Sequence, residues 1–234
     1  MSGSPNEPLL VIFDMDGTLV DSQHMIVAAL ETAFGSEGIA PPDRRTMLSI
    51  VGLSLIEAMQ TLVSDADGAV HVRLAEAYKA AFQDLRRHPE HREPLYPGAL
   101  EALGELSARD EVLLGIATGK SRRGVDIVLG LHGLERHFVT IQTADRHPSK
   151  PHPSMVRKAL SETGIAANRA VVVGDTVFDM EMARAAGAHA LGVSWGYHDV
   201  KHLAQAGAAR TLDRFAEVVP AIDQLFARGG RATE

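Results

Sequence analysis

"LLVIFDMDGTLVDS", residues 9–22, runs five apolar residues into Asp14, places Asp16 two positions on, and turns at Gly17-Thr18. A continuous Val/Ile-type run stopped by polar residues reads as a strand buried on both faces of a parallel sheet. Side chains two apart on a strand point the same way, so Asp14 and Asp16 are expected side by side. Two carboxylates next to a hydrophobic strand repel each other and resist desolvation. The protein has to compensate them.

The same signature recurs along the chain. "EVLLGIAT" (111–118), "FVTIQTA" (138–144), "AVVVGDT" (170–176) and "ALGVSW" (190–195) are short, continuous and apolar, and they end in or near Thr, Asp or Gly. Amphipathic stretches such as "PGALEALGELSA" (97–108) and "PSMVRKALSETG" (153–164) separate them. Strands alternating with helices predict a doubly wound parallel sheet of the α/β class.

One interval breaks that rhythm. Between Gln23 and Glu93 the apolar residues fall at helical spacing: Ile26, Leu30 and Phe34, then Met59, Leu62 and Val63, then Val70, Leu74, Tyr78, Ala81 and Leu85. Ser54-Leu55-Ile56-Glu57 has the spacing of a capping box opening the second of these helices. The expectation is an inserted helical cap over 21–95, a core domain of 1–20 and 96–234, and a return hinge at "REPLYPG" (92–98).

With 234 residues, 45% hydrophobic and 23% charged, the chain can bury one good core plus a smaller unit. A formal net charge of -7 argues against a nucleic-acid surface, which needs a basic patch. The absence of cysteine removes disulfides and thiolate chemistry. "MSGSPNEPLL" lacks the basic and apolar regions of a signal peptide, and no apolar run reaches membrane-spanning length. The reading is a cytoplasmic protein that contacts neither nucleic acid nor membrane, as a monomer or homodimer.

Ligands of a parallel sheet bind outside the carboxyl ends of its strands. Asp14 and Asp16 follow the first strand there, Thr118 and Gly119 end the second, Lys150 lies in the loop after the third, and Asp175 ends "VVVGD" with Asp179 one turn into the next helix. Taken singly, Asp175 could merely cap a helix and Lys150 could be a surface lysine. Four aspartates converging on one rim, however, call for a hard cation, and few oxygen-only ligands suit Mg²⁺. Lys150, the Thr118 hydroxyl and the Gly119 N–H would then form an anion cradle facing a carboxylate nucleophile, the equipment of phosphoryl transfer.

Asp14-Met15-Asp16-Gly17-Thr18, Thr118, Lys150 and Gly174-Asp175 with Asp179 resemble, in order, the four motifs of the haloacid dehalogenase superfamily, and the helical insert resembles its C1-type cap. Within it the chain is similar to phosphoglycolate-phosphatase-like members through "DGTLVDS" and "YPG". The resemblance implies Asp14 as nucleophile, Asp16 as general acid and base, and Mg²⁺ held by Asp14, the Asp16 carbonyl and Asp175. It further implies phosphate held by Thr118, Gly119 and Lys150, and Asp179 as a supporting residue. The implied activity is hydrolysis of a small phosphorylated metabolite through an aspartyl-phosphate.

Dehalogenases proper generally lack the acid that Asp16 supplies. A phosphosugar mutase of the β-phosphoglucomutase type is a closer rival, but there a cap Gly-x-Ser precedes an arginine, whereas Gly52-Leu53-Ser54 here precedes Leu55. Pyrophosphatase, nucleotidase and non-catalytic phosphate-binding readings also stand. Specificity is expected in the cap stretch 41–54, where Gly52 admits a close backbone approach and Arg44 or Arg45 could pair with a small carboxylate. The histidines show no metal-ligand spacing, Trp195 and Tyr197 are expected to pack under the last helix, and the tail "RGGRATE" is expected to fray.

Overall fold

In the computed structural model, residues 7–88 and 93–229 are described. Arg92 of the expected hinge and the end of the tail, 230–234, lie outside the described residues. Six parallel strands make one sheet: β1 (Leu9–Phe13), β2 (Val112–Thr118), β3 (Thr140–Thr143), β4 (Ala170–Gly174), β5 (His189–Val193) and β6 (Arg210–Leu212), in the order β3-β2-β1-β4-β5-β6. Five match the runs read from the sequence. The sixth, Arg-Thr-Leu, is a three-residue edge strand too short and polar to carry a signal.

The apolar runs are continuous because both faces are covered. Val11 and Phe13 face one way, with Leu114, Ile116, Val171 and Val173, against α5 (Ala99–Ser107), α6 (Arg122–His132) and α10 (Val218–Gly229). Leu10 and Ile12 face the other way, with Val172, against α7 (Ser154–Thr163), α8 (Val177–Ala186) and α9 (Val200–Ala206). The chain steps outward from β1 through β2 to β3, then returns past β1 to β4. That reversal opens a crevice at the carboxyl ends of β1 and β4, where a doubly wound sheet binds its ligands.

Between β1 and α5 lie α1 (Gln23–Ser36), α2 (Arg44–Leu48), α3 (Leu55–Leu62) and α4 (Gly68–Leu85). They share a buried cluster of their own, built on Met25, Leu30, Phe34, Met59, Leu74 and Phe82. The linkers into and out of this helical insert run side by side: Asp21 N–H donates to the Pro94 carbonyl at 2.8 Å, and Tyr96 N–H to that of Leu19 at 2.9 Å. Two points correct the sequence reading. α2 is an additional short helix, capped by Asp43 accepting from Thr46 N–H. Ser54 stands at the N-cap of α3, but its side chain makes no capping bond. Its N–H instead donates to Ser149 Oγ at 2.7 Å, tying the insert to the loop that carries Lys150.

Leu74 is fully buried in the insert's cluster and touches none of the cavity described below. Leu74→Ala should therefore lower unfolding stability by about 2–5 kcal/mol, read from urea denaturation. A loss under about 1 kcal/mol would mean that α4 is not packed as described.

Candidate active site

Asp14 follows β1 directly and its N–H donates to the Val173 carbonyl at 3.0 Å, prolonging the β1–β4 ladder by one residue. Its side chain is 1% exposed. Lys150 Nζ sits 2.9 Å from Asp14 Oδ1 and 2.6 Å from Asp179 Oδ1, fully buried among them. Asp14 Oδ2 is buried with no hydrogen-bond partner among the described residues.

Burial pushes the Asp14 carboxyl up, Lys150 pulls it back, and Asp179 and Asp16 push it up again, leaving it at about 7. Burial likewise raises Asp175 well above the ordinary carboxylate range, with the Asp14 and Asp179 charges adding to it. Burial alone would lower Lys150; Asp14 and Asp179 outweigh it, and the ammonium is held above its usual range. The cluster carries more negative charge than one lysine offsets.

Asp175 and Asp179 owe their places to the β4–α8 junction. Thr176, not Asp175, caps α8, and it forms a capping box with Asp179. Asp175 is thereby free to turn inward, where Oδ1 accepts from Thr18 Oγ1 at 2.9 Å and Oδ2 from Tyr197 N–H at 2.9 Å. The turn at Gly17 has φ +83°, and a Cβ there would lie 2.3 Å from Asp175 Oδ2, so only glycine fits. Carboxylate oxygens of Asp14, Asp175 and Asp179 lie within 4.8 Å of one another. Buried, oxygen-only and short of positive charge, this set fits a small hard cation.

Asp16 faces elsewhere. Its Oδ1 accepts from Ser22 Oγ and lies 3.0 Å from Lys120 Nζ, which also reaches Glu93 Oε1 at 2.9 Å. Burial acts to lower the Lys120 ammonium, but Asp16 and Glu93 reverse this and raise it. Asp14, Asp16, Thr118, Gly119 and Lys120 all line one cavity of about 440 Å³ between sheet and insert. The insert contributes Gly52, Tyr78, Phe82 and Arg86 among others. At Gly119 the two parts nearly touch: a Cβ there would lie 2.6 Å from the Leu53 carbonyl oxygen.

The structure thus brings together Asp14, Lys150, Asp175 and Asp179, and sets Asp16, Thr118, Gly119 and Gly52 around the adjoining cavity. It does not bring Arg44 or Arg45. α2 buries only Met47, so both arginines point outward, and Arg44 bonds Gln23 Oε1 at 2.8 Å. Arg86, Lys79 and Gln83 of α4 and its C-cap line the cavity instead. Trp195 packs on Phe215, just before α10, as expected. Tyr197 does not: it packs against the insert's cluster, with its hydroxyl 3.3 Å from Ser22 Oγ. Lys120 and Ser22 were also missed, although one follows Thr118-Gly119 directly and the other closes "DGTLVDS". His132 and His147 have structural partners, the Glu93 carbonyl and Gln142 with Ser154.

The sequence profile described as Haloacid dehalogenase-like hydrolase matches residues 11–193. A Dickeya dadantii protein named "Probable phosphatase IndB" is 36% identical over 93% of this chain and 94% of its own. A Rhodospirillum rubrum protein named phosphoglycolate phosphatase is 34% identical over 90% and 89%. The crystal structure of a hydrolase from Pseudomonas syringae superposes with a TM-score of 0.81 at 28% identity, covering 92% of this chain and 98% of that one. Extended over most of the chain and joined to this fold, these likenesses place the protein in the haloacid dehalogenase-like hydrolase family.

Proposed function

We propose that the protein is a Mg²⁺-dependent phosphatase that hydrolyses a small phosphomonoester through an aspartyl-phosphate. The observation that carries this reading is Asp14: a buried carboxylate paired with Lys150, with one oxygen unpartnered, at the floor of a cavity that Asp16, Thr118 and Gly119 also line.

Asp14 would attack phosphorus while the bond to the leaving oxygen breaks, and Asp16 would give that oxygen its proton. Water would then attack the phosphorus of the acyl phosphate and surrender its proton to Asp16, freeing inorganic phosphate and Asp14. Thr118 and the Gly119 N–H would hold phosphate oxygens, and Lys150 would offset their charge. Asp179 is committed to Lys150 and Thr176, which leaves Asp14, Asp175 and the Asp16 carbonyl to hold the cation. Bound there, Mg²⁺ supplies the positive charge that lets an anionic nucleophile approach an anionic phosphate.

The leaving group we infer is small and anionic, which makes 2-phosphoglycolate the first candidate substrate. Relatives covering most of this chain carry the name phosphoglycolate phosphatase. The cavity is at the small end of ligand pockets, and it carries the cationic side chains of Lys79 and Arg86 on the insert's side.

An aryl phosphate should be hydrolysed with added Mg²⁺ and not after chelation, and Asp14→Asn should lose about 10³-fold or more in kcat while keeping the fold by circular dichroism. A variant with a tenth of the wild-type rate would dismiss Asp14 as nucleophile. In a panel of 2-phosphoglycolate, pyrophosphate, nucleoside monophosphates and hexose phosphates, the first should give the highest kcat/KM. Isomerisation of a hexose 1-phosphate in the presence of a bisphosphate would replace the hydrolase reading by the mutase one.

A further prediction needs no turnover. Burial and the neighbouring carboxylates raise the Asp14 carboxyl from 3.8 to about 7, so folding should favour its protonated form between those values. A carboxyl raised on folding contributes stability at low pH and loses it as pH climbs through that window. Urea midpoints in chelator should therefore fall more steeply from pH 5 to 7.5 for wild type than for Asp14→Asn, and Mg²⁺ should restore the wild-type midpoint at 7.5. Equal slopes would contradict the upward push that burial and the neighbouring carboxylates give Asp14.

A further inference from the structure

We propose that Lys120 is a positioning residue for Asp16, and that Glu93, in the return linker of the helical insert, holds Lys120 for that task. The inference rests on the proposed role of Asp16 as proton donor and acceptor and adds the residues that aim it. Asp16 has one oxygen engaged twice, by Ser22 Oγ and by Lys120 Nζ at 3.0 Å, which fixes the carboxylate at the lining of the cavity. A carboxylate on a rotatable side chain transfers protons well only when it is held at the reacting oxygen.

Lys120 is itself held on several sides. Its Nζ is 2.9 Å from Glu93 Oε1 and 5.1 Å above the Phe82 ring, and its side chain is only 9% exposed. Its backbone N–H donates to Thr118 Oγ1 at 3.2 Å, so the segment that would bind phosphate also anchors this lysine. Glu93 is 3% exposed and pairs in turn with Arg86 at 2.7 Å, whose guanidinium lies 4.8 Å over the same Phe82 ring. An ammonium has three donors and no acceptor, so one lysine can hold both carboxylates, and the pairing links the sheet, the linker and α4 at the mouth of the cavity.

Removing the ammonium should leave the fold intact, because Glu93 keeps Arg86. The test is a double-mutant cycle on an alkyl phosphate, whose poor leaving group depends most on a proton donor. Lys120→Met should lower kcat about 10- to 100-fold with KM within about twofold. Added to Asp16→Ala, it should cost nothing more, since a positioning residue has no task once its carboxylate is gone. An aryl phosphate should suffer less from either change, and Lys120→Arg should recover part of the alkyl rate. Glu93→Gln should give the same pattern at smaller size, and it carries the test if thermal melting shows Lys120→Met to be unfolded. Multiplicative losses in the double variant would overturn the inference. So would a rise in KM confined to carboxylate-bearing substrates, which would make Lys120 a substrate-binding group. A wild type inactive on every phosphate ester would remove the phosphatase reading itself, and this inference with it, whereas an active wild type with either of those patterns removes the inference alone.

Discussion

The acidic cluster at the carboxyl edge of this sheet depends on one buried ammonium. Lys150 lies between Asp14 and Asp179 with no exposed surface. Three desolvated carboxylates grouped within 4.8 Å would not persist on their own, because each resists burial and each repels the others. One lysine cannot neutralise three of them, and its position shows which it serves. It binds Asp179, which also caps the backbone of α8, and it binds one oxygen of Asp14. Asp175 is stabilised separately by Thr18 and the Tyr197 N–H. The residual negative charge falls on Asp14 and Asp175, the two whose ionisation burial opposes most clearly. A site that leaves its deficit there fits a small hard cation.

The sheet and its rim were legible in the sequence for a physical reason. Strands buried on both faces leave continuous apolar runs, and residues ending them stand at the crevice wherever the strands are parallel. Asp14, Thr118 and Asp175 end three adjacent central strands, so reading the strands amounted to reading the site. β6 escaped because an edge strand of three residues needs no apolar pattern. The capping role of Ser54 was misread because spacing records which bonds are possible; in the fold its N–H found Ser149, across the boundary between insert and sheet.

The insert's contribution was least legible. Arginine-rich 41–54 attracted attention through its charge, yet charge does not say which way a side chain points. α2 settles that by burying Met47, which turns Arg44 and Arg45 to solvent. The stretch does reach the cavity through Ile50 to Ser54, Gly52 among them, but the charged groups on the insert's side belong to α4 and its C-cap, where Lys79 and Arg86 sit beside Tyr78 and Phe82 on a helix that reads as ordinary core packing. Lys120 was hidden differently, since a lysine in a loop is ordinarily solvated, and only the arrival of Glu93 and Phe82 from distant positions buries it. Pairings made between distant segments leave no periodic trace.

The contact between insert and sheet bears on both chemistry and selectivity. A side chain at position 119 would collide with the carbonyls of Gly52 and Leu53, so the insert's backbone closes directly over the segment proposed to hold phosphate. The cavity of about 440 Å³ beneath it has Asp14, Asp16 and Thr118 on the sheet side and Gly52, Tyr78 and Phe82 on the insert's side. The same closure sets Phe82 and Arg86 against Lys120 and Glu93. If the proton-transferring carboxylate is aimed through that cluster, an insert that selected the leaving group would also fix the geometry with which its oxygen is protonated. Substrate choice and catalytic alignment would then depend on one set of contacts, and a change to the roof of the cavity would be felt at Asp16.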